Sequence, residues 1–392
     1  MKSLKLPLFI AVVSELIIAT FVIWFYTRTG TSGLFRWNPK YDNQFHALEL
    51  MLLVPPLFFL LTLIFYLVTK KQPVVTFIFS CICVVLSLGC AGFCIGKAIS
   101  TVKAGHYVPK NHAVVKNMLP KENVPLLKHI AVSSDPHWNA DYSTPEDRVA
   151  IMQQVNSRKY DAFFMLGDIT DEGDVPNSYE TVVKDINTYL PDTPVRCVMG
   201  NHDSLVDACW IFQTYFNGKA NAPLYYRMDS GNVHFLILNL LWGTEDFTGA
   251  QRKWLISQLE DIPQADTVVV MSHCFYVSNG YVDKESKKPW YDIPSMVDKL
   301  CPIFEKYHVD LVLSGHNHLM NVLKKNGITY AICGAMGGPL DKETDYVSPY
   351  SVWEENKKHG WIDITFTGAD IQLIYYDYDG NELYRCSVEN QH

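Results

Sequence analysis

No Cys-x-x-Cys pair occurs among the ten cysteines, which removes a zinc ribbon and a thioredoxin-like redox motif from consideration. Cys81, Cys83, Cys90 and Cys94 lie in an apolar run, and Cys197, Cys209, Cys274, Cys301, Cys333 and Cys386 are scattered downstream. Several fall inside predicted strands, where a buried free thiol is expected. Internal repeats and low-complexity tracts are also missing. Positive charge is scarce where nucleic acid would need it. The first hundred residues hold eight of the 33 Lys+Arg and three of the 41 Asp+Glu, which leaves 25 against 38 beyond them, a net of −13. That balance excludes a broad face for long nucleic acids. No small-residue cleavage site follows the first apolar run, which is also too long for a signal-peptide core.

What the N-terminal part has is apolar length. Leu6–Tyr26, Ala47–Thr69 and Val74–Ile95 are each long enough to cross a bilayer. Only Lys70-Lys71-Gln72-Pro73 separates the second from the third, so those two form a helical hairpin. Trp24, Phe25, Tyr26, Trp37 and Tyr41 suit an interfacial belt, and Pro55-Pro56 should kink the second helix, as membrane helices tolerate. Glu15 falls inside the first span with no second ionisable residue deep in any span. It is expected as a protonated acid bonded to a neighbouring helix. Basic residues nearly balance across the spans: Lys2, Lys5, Lys70 and Lys71 on one side, Arg28, Arg36, Lys40, Lys97 and Lys103 on the other. The tight Lys70-Lys71 cluster and the basic N-terminus tip that side to the cytoplasm. The expectation is an integral protein of the cell membrane with its soluble part outside the cytoplasm. Residues 1–100 are then a membrane domain with three transmembrane helices. Residues 101–127, with Pro109, Pro120 and Pro125, are a juxtamembrane linker, solvated or resting on anionic headgroups. Residues 128–392 are the soluble domain.

That domain is organised around Val195–Asp203, an apolar run ending in Gly200-Asn201-His202-Asp203. The pattern reads as a buried strand whose end opens into a tight turn carrying polar side chains. It recurs. His129–Ser134 leads to Asp135-Pro136-His137, Asp161–Leu166 to Gly167-Asp168, Thr267–Ser272 to His273, and Val309–Ser314 to Gly315-His316-Asn317-His318. Between these runs lie helical patterns at Pro145–Tyr160, Ser178–Leu190, Asp207–Phe216, Gly249–Leu259 and Pro294–Tyr307. Hairpins are predicted at Leu224–Leu240 and Met320–Cys333, and a last strand pair at Gly360–Phe366 and Asp370–Tyr378. Strands and helices mixed in this way predict an α/β sandwich with helices outside.

The strand ends offer two carboxylates, Asp135 and Asp168, four imidazoles, His137, His273, His316 and His318, and the amide of Asn201. Mixed nitrogen and oxygen donors without thiolate suit Mn, Fe or Zn. Seven ligands are too many for one tetrahedral ion and suit two divalent or trivalent ions sharing a carboxylate.

Asp135-x-His137, Gly167-Asp168, Gly200-Asn201-His202-Asp203, His273 and Gly315-His316-Asn317-His318 together resemble the full signature of the calcineurin-like metallophosphoesterase superfamily. The resemblance covers roughly residues 128–378, and Gln251–Leu259 resembles the helix that follows the central hairpin in many members. It implies a four-layer αββα sandwich with metals at the strand ends. It implies Asp135, His137 and His318 on the first metal, Asn201, His273 and His316 on the second, and Asp168 bridging. His202 would be the acid or electrostatic clamp beside the phosphoryl group, oriented by Asp203. The implied reaction is hydrolysis of a phosphate ester by in-line attack of a hydroxide bridging the metals. Trp138 is expected near the site mouth or packed under the following loop. Lid candidates are Phe275–Trp290, with Asn279-Gly280 as a hinge, Leu241-Trp242-Gly243 and Met336-Gly337-Gly338-Pro339. Aromatic lids suit an apolar or planar leaving group, such as a lipid, nucleoside or aryl moiety, or are ordinary loop packing, and three spans favour a lipid-linked substrate over another small-molecule ester. The alternatives are a cyclic-nucleotide phosphodiesterase or nuclease on the same site, and a catalytically silent interaction module.

Overall fold

The computed structural model describes residues 5–28, 46, 50–69, 73–104, 107–207, 209–219, 223–240, 247–282, 284, 289–368 and 370–388. The chain divides into two compact units, Met1–His106 and Tyr107–His392.

Among its described residues the first unit contains the helices α1 (Lys5–Arg28), α2 (Val54–Val68) and α3 (Pro73–Ala104). Among the described residues one stretch is long and apolar enough to cross a membrane, Phe77–Lys97 within α3. Val12–Phe21 and Val54–Val68 are shorter apolar helices. The second predicted span is interrupted at residues 52–53, and α2 starts afresh with Pro55 and Pro56 in its first turn. Their missing N–H groups cost least there. Many large apolar side chains of these helices face outward, among them Phe9, Leu16, Leu57, Leu60, Phe77 and Phe93. Glu15, expected to bond to a neighbouring helix, has a buried Oε2 without a hydrogen-bond partner. Trp37, Tyr41 and the Lys70-Lys71 turn lie outside the described residues.

The second unit is built on two sheets. In the first, β1 (His129–Ser133), β2 (Ala162–Leu166) and β3 (Val195–Val198) run parallel, and β13 (Gly360–Thr367), β14 (Asp370–Asp377) and β15 (Glu382–Val388) extend it antiparallel, in the order β15-β14-β13-β1-β2-β3. The second contains β4 (Tyr226–Ser230), β5 (Val233–Ile237), β6 (Thr267–Met271), β9 (Leu311–Ser314), β10 (Met320–Lys325), β11 (Ile328–Cys333) and β12 (Ser351–Glu355), in the order β12-β10-β11-β9-β6-β5-β4. A two-stranded ribbon joins β7 (Tyr281–Val282) to β8 (Pro289–Trp290). The central strands are buried along their whole length, which is why they read as largely apolar runs rather than alternating ones, with Arg196 in β3 and His234 in β5 as internal exceptions.

Helices α4 (Pro145–Arg158), α5 (Pro176–Tyr189) and α6 (Cys209–Asn217) precede α7 (Gly249–Asp261) and α8 (Pro294–Lys306). Proline opens α4, α5 and α8, where its fixed φ suits the first turn. Three apolar clusters separate the layers. Phe164, Ile237, Leu313 and Ile362 lie between the sheets. Ile151, Tyr179, Phe212 and Phe163 join the first sheet to α4, α5 and α6. Leu255, Leu300, Phe304 and Val270 join the second sheet to α7 and α8. The result is the mixed α/β sandwich expected from the pattern.

Three features differ from expectation. Strands β12 and β15 fall in stretches whose alternation is weak, because they are edge strands buried on neither face throughout. Residues 107–127 are no free tether. Met118 bridges Val195 on the edge of the first sheet, Leu119 N–H donates to Val195 O at 2.9 Å, and Leu119 and Leu127 are buried. Among the described residues Cys197, Cys301 and Cys333 are buried free thiols, and Cys274 is buried with them in the core.

Candidate metal centre

The site lies where the carboxyl ends of β1, β2 and β3 meet those of β6 and β9, as open α/β folds place theirs. Asp135 and His137 follow β1, Asp168 follows β2, Asn201 and His202 follow β3, His273 follows β6, and His316 and His318 follow β9. The turns are tight enough to leave ordinary backbone space. Asp135, His137, Asp168 and His316 have φ of 52°, 44°, 49° and 69°. Left-handed conformations in non-glycine residues are uncommon and concentrate at functional sites. Gly200 is required by close approach, since a Cβ there would collide with the backbone nitrogen and carboxylate of Asp168.

All seven predicted ligands come together. Asp135, His137 and His318 form one set and Asp168, His273 and His316 another, each with donor atoms within 4.8 Å of one another, and a third set, His137, Asp168 and His202, overlaps both. Asn201 Oδ1 is 2.9 Å from His273 Nε2 and 3.0 Å from His316 Nδ1, and those two nitrogens are 3.2 Å apart. Asp168 Oδ2 is 3.3 Å from His273 Nε2 and 3.7 Å from His137 Nε2. Asp135 Oδ1 is 3.2 Å from His318 Nε2 and 4.0 Å from His137 Nε2. Donors held about 2.0–2.2 Å from one ion lie roughly 3 Å from each other, and most of these spacings fit the edges of coordination shells. The donor set also fits cations by its incompleteness: Asp135 Oδ1 and His137 Nε2 are buried with no hydrogen-bond partner. Buried polar atoms left so are costly unless something else engages them.

Three of the four candidate imidazoles are oriented from behind, as ligating histidines usually are. His273 Nδ1 meets Leu166 O at 2.8 Å, His318 Nδ1 meets Pro339 O at 2.5 Å, and His137 Nδ1 meets Asp171 Oδ1 at 3.2 Å. A carbonyl can only accept, so Nδ1 carries the proton in the first two and Nε2 faces the centre. Trp290 stacks on His316 with ring centroids 5.1 Å apart and planes 7° apart, and Tyr281 stacks on Trp290 in turn.

His202 stands beside the ligands, with Nε2 3.8 Å from Asp168 Oδ2. Its orientation comes from an unexpected residue. Nδ1 faces the Asp171 carbonyl at 2.8 Å and the Asp171 carboxylate at 3.2 Å. Asp203, predicted to orient His202, has its oxygens taken by other donors: Gly200 N–H at 2.8 Å, Ile169 N–H at 3.2 Å, Thr170 N–H at 3.3 Å and Tyr179 Oη at 3.1 Å. It ties the β2 and β3 turns together instead. The only trace of Asp171 in the sequence is an acid three residues beyond Asp168.

Electrostatics match the geometry. Burial would raise the Asp168 pKa, but His273 and His202 beside it hold its carboxyl well below the usual carboxylate range. Burial likewise opposes the charged form of His273 and His318, yet Asp168 pushes His273 up to about 9 and Asp135 pushes His318 up to about 9. His202 is also raised, its burial outweighed by Asp168 and Asp171. Burial and the charge of Asp168 push Asp203 up to about 7 against the pull of its backbone N–H donors.

The surrounding predictions divide. Trp138 is fully buried, donates Nε1–H to Asp185 at 2.8 Å and carries the Arg148 guanidinium 4.5 Å from its ring centroid, so it packs rather than lining the mouth. Phe275 and Tyr276 are core residues. Asn279-Gly280 is no hinge: Asn279 donates to Asn321 at 3.0 Å and accepts from Ser348 at 2.9 Å, and Gly280 pairs with Tyr346. Gly338 packs against His137, where a Cβ would clash. Leu241-Trp242-Gly243 lies outside the described residues.

A model of the calcineurin-like phosphoesterase family matches residues 128–320. Purple acid phosphatase 7 of Arabidopsis thaliana is 30% identical over 99 residues, 24% of this chain and 30% of that protein. Tartrate-resistant acid phosphatase type 5 of Oryctolagus cuniculus is 23% identical over 236 residues, 54% of this chain and 71% of that protein. Among solved structures, the purple acid phosphatase PPD1 of yellow lupin (Lupinus luteus) superposes with a TM-score of 0.56 at 16% identity, over 67% of this chain and 54% of the lupin chain. The chain thus spans only part of the length of several of its relatives. Residues 128–320 match the calcineurin-like phosphoesterase family, and the chain's likenesses are those of a metal-dependent phosphoester hydrolase.

Proposed function

We propose that the chain is a membrane-anchored phosphoesterase that binds two metal ions and hydrolyses a small phosphate ester, lipid-linked in its native setting. The observation that carries this reading is the convergence of seven ligand side chains from five strand ends, with buried donor atoms left unengaged at their focus. Asp135, His137 and His318 would hold one ion, Asn201, His273 and His316 the other, and Asp168 would be shared. Bound there, two ions supply Lewis acidity toward phosphoryl oxygens and lower the pKa of water. The chain's own part is acid–base work and positioning. The Asp171 carbonyl keeps the proton on His202 Nδ1, so Nε2 is the nitrogen presented to substrate. With its pKa raised by Asp168 and Asp171, His202 can hold a second proton there and give it to the departing ester oxygen.

Membrane anchoring is supported by the outward apolar side chains of α1, α2 and α3, which water would not favour, and by the length of Phe77–Lys97. A lipid-linked ester is supported by the stacked Tyr281 and Trp290 beside His316 and by the closeness in sequence of the end of α3, Ala104, to the start of the catalytic unit, Tyr107. Lys70-Lys71 and the basic N-terminus support a catalytic domain outside the cytoplasm. The test is hydrolysis of an aryl phosphate by the full chain in detergent with added Mn. Activity that a chelator abolishes and metal restores is expected. Chelator-resistant hydrolysis, or none with any of Mn, Fe or Zn, would overturn the reading. Protease digestion of intact cells reads sidedness: cleavage of the catalytic domain from outside is expected, and complete protection refutes it.

A further inference from the structure

At the opposite end of β3 from the metal centre, a cleft of about 520 Å³ opens between the segment 114–122, the end of α6 and Pro223. Arg196, the second residue of β3, lines it, while Asn201 lies beyond the other end of that strand. Five residues at about 3.3 Å each separate the two sites by roughly 16 Å. Lys121 and Lys219 complete a group of three cations in the wall.

In a domain with a surplus of acid these charges have no counterion. Among the described residues no carboxylate pairs with Lys121, Arg196 or Lys219. The acid of the lining, Glu122, stands exposed on the rim. Arg196 is 3% exposed. One nitrogen donates to Phe216 O at 3.1 Å and to Asn217 Oδ1 at 3.2 Å, and its Nε is buried without a hydrogen-bond partner. Lys121 Nζ donates to Pro223 O at 3.3 Å and sits 3.7 Å from the Tyr226 ring centroid. A buried guanidinium with an idle donor, beside two ammonium groups, is costly without an anion. Val114, Val115, Met118 and Phe216 give the wall an apolar part. The volume falls within the range of small-molecule sites, about 300–1,000 Å³.

We propose that this cleft is a second ligand site, which binds the phosphate group of a small amphiphilic molecule against Lys121, Arg196 and Lys219, with its apolar part on the Val114–Met118 wall. Guanidinium and ammonium donors converge on an anion of that kind. The state of Lys121 agrees: burial, then Arg196 and Lys219, push its ammonium pKa down to about 7. A bound anion reverses that and reprotonates the amine. The segment 114–122 that forms one wall is pinned to the edge of β3 through Met118 and Leu119, so the cleft is part of the folded domain.

Lys121 is also the reporter. In the metal-loaded full chain in detergent, acetic anhydride should acetylate Lys121 faster than exposed lysines, as read by peptide mass spectrometry. Dioctanoyl phosphatidate should slow that labelling about tenfold, by reprotonating and covering the amine. Inorganic phosphate at similar concentration distinguishes the source. Protection by both assigns a free phosphate, and protection by the lipid alone assigns a headgroup. Lys219→Glu, a change at an exposed position, should weaken the protection while Lys219→Arg keeps it. No protection by either probe, equal protection by uncharged dioctanoylglycerol, or protection indifferent to Lys219→Glu overturns the proposal. The readout is local to Lys121, so phosphate bound at the metal centre does not enter it.

Discussion

Replacing Asp171 by asparagine removes one charge and leaves the shape nearly unchanged. Its carboxylate lies 3.2 Å from His137 Nδ1 and 3.2 Å from His202 Nδ1, and it also accepts from the Tyr142 hydroxyl. The side chain is about one-fifth exposed, so the effective dielectric lies between protein and water. Two unit charges 3.2 Å apart attract by about 1.3–2.6 kcal/mol at dielectric constants of about 80 to 40. That corresponds to about ten- to eightyfold in the stability of the protonated His202. The backbone carbonyl of Asp171 stays, so the tautomer and the ring's position are kept. Asp171→Asn should therefore lower kcat by about that factor at the pH optimum, inside the range seen when a carboxylate behind a ligating histidine is lost. The fall of rate at high pH, where His202 loses its proton, should move to lower pH. The assay is a pH–rate profile on an aryl phosphate at saturating Mn, with metal content measured on the same samples. A variant with full metal, an unchanged profile and unchanged kcat would refute the role given to Asp171 and to His202 as proton donor. Lost rate that extra metal fully restores would place the effect on His137 instead.

Asn201→Ala and His316→Ala should each bind fewer than two ions by elemental analysis and lose nearly all activity, because each removes one donor from a single coordination shell. Retention of both ions and full activity in either variant would contradict the assignment. Metal loading should strengthen as pH rises toward about 9, since His273 and His318 are held protonated up to about 9 in the metal-free cage and the metal must displace those protons. A competition titration flat from pH 6 to 9, a window on the order of the shifts produced by buried ion partners, would count against it. Trp138→Ala should destabilise the domain by about 3–5 kcal/mol in urea, while Trp138→Phe leaves KM unchanged. A selective KM effect in Trp138→Phe would return Trp138 to the substrate.

The chemistry of the centre was legible because its ligands sit in short, punctuated motifs. The runs that became β1, β2, β3, β6 and β9 are largely apolar, Arg196 in β3 excepted, and lead into polar residues. Parallel buried strands must read that way, since both faces are covered. The hairpin Met320–Cys333 was equally plain, because few residues other than Asn and Gly accept the positive φ that Asn326 and Gly327 adopt at its turn. Such features are local. They depend on what a few neighbouring residues can do with their dihedrals and their polarity.

What the chain order could not reveal is which distant atoms meet. Asp203 lies next to His202 in sequence yet serves the backbone of Ile169, Thr170 and Gly200, while Asp171, from another turn, holds His202. Trp138 follows a ligand yet points into the helix layer toward Arg148 and Asp185. The segment 107–127 is polar and proline-bearing, but packing on β3 converts it into the wall of a cationic cleft. Composition and spacing determined the strands, the ligand types and the apolar N-terminal helices, because those follow from short-range sterics and from the cost of burying polar groups. Partner choice for each carboxylate and ring was decided only by the tertiary fold, because contacts between residues far apart in the chain are set by how layers stack.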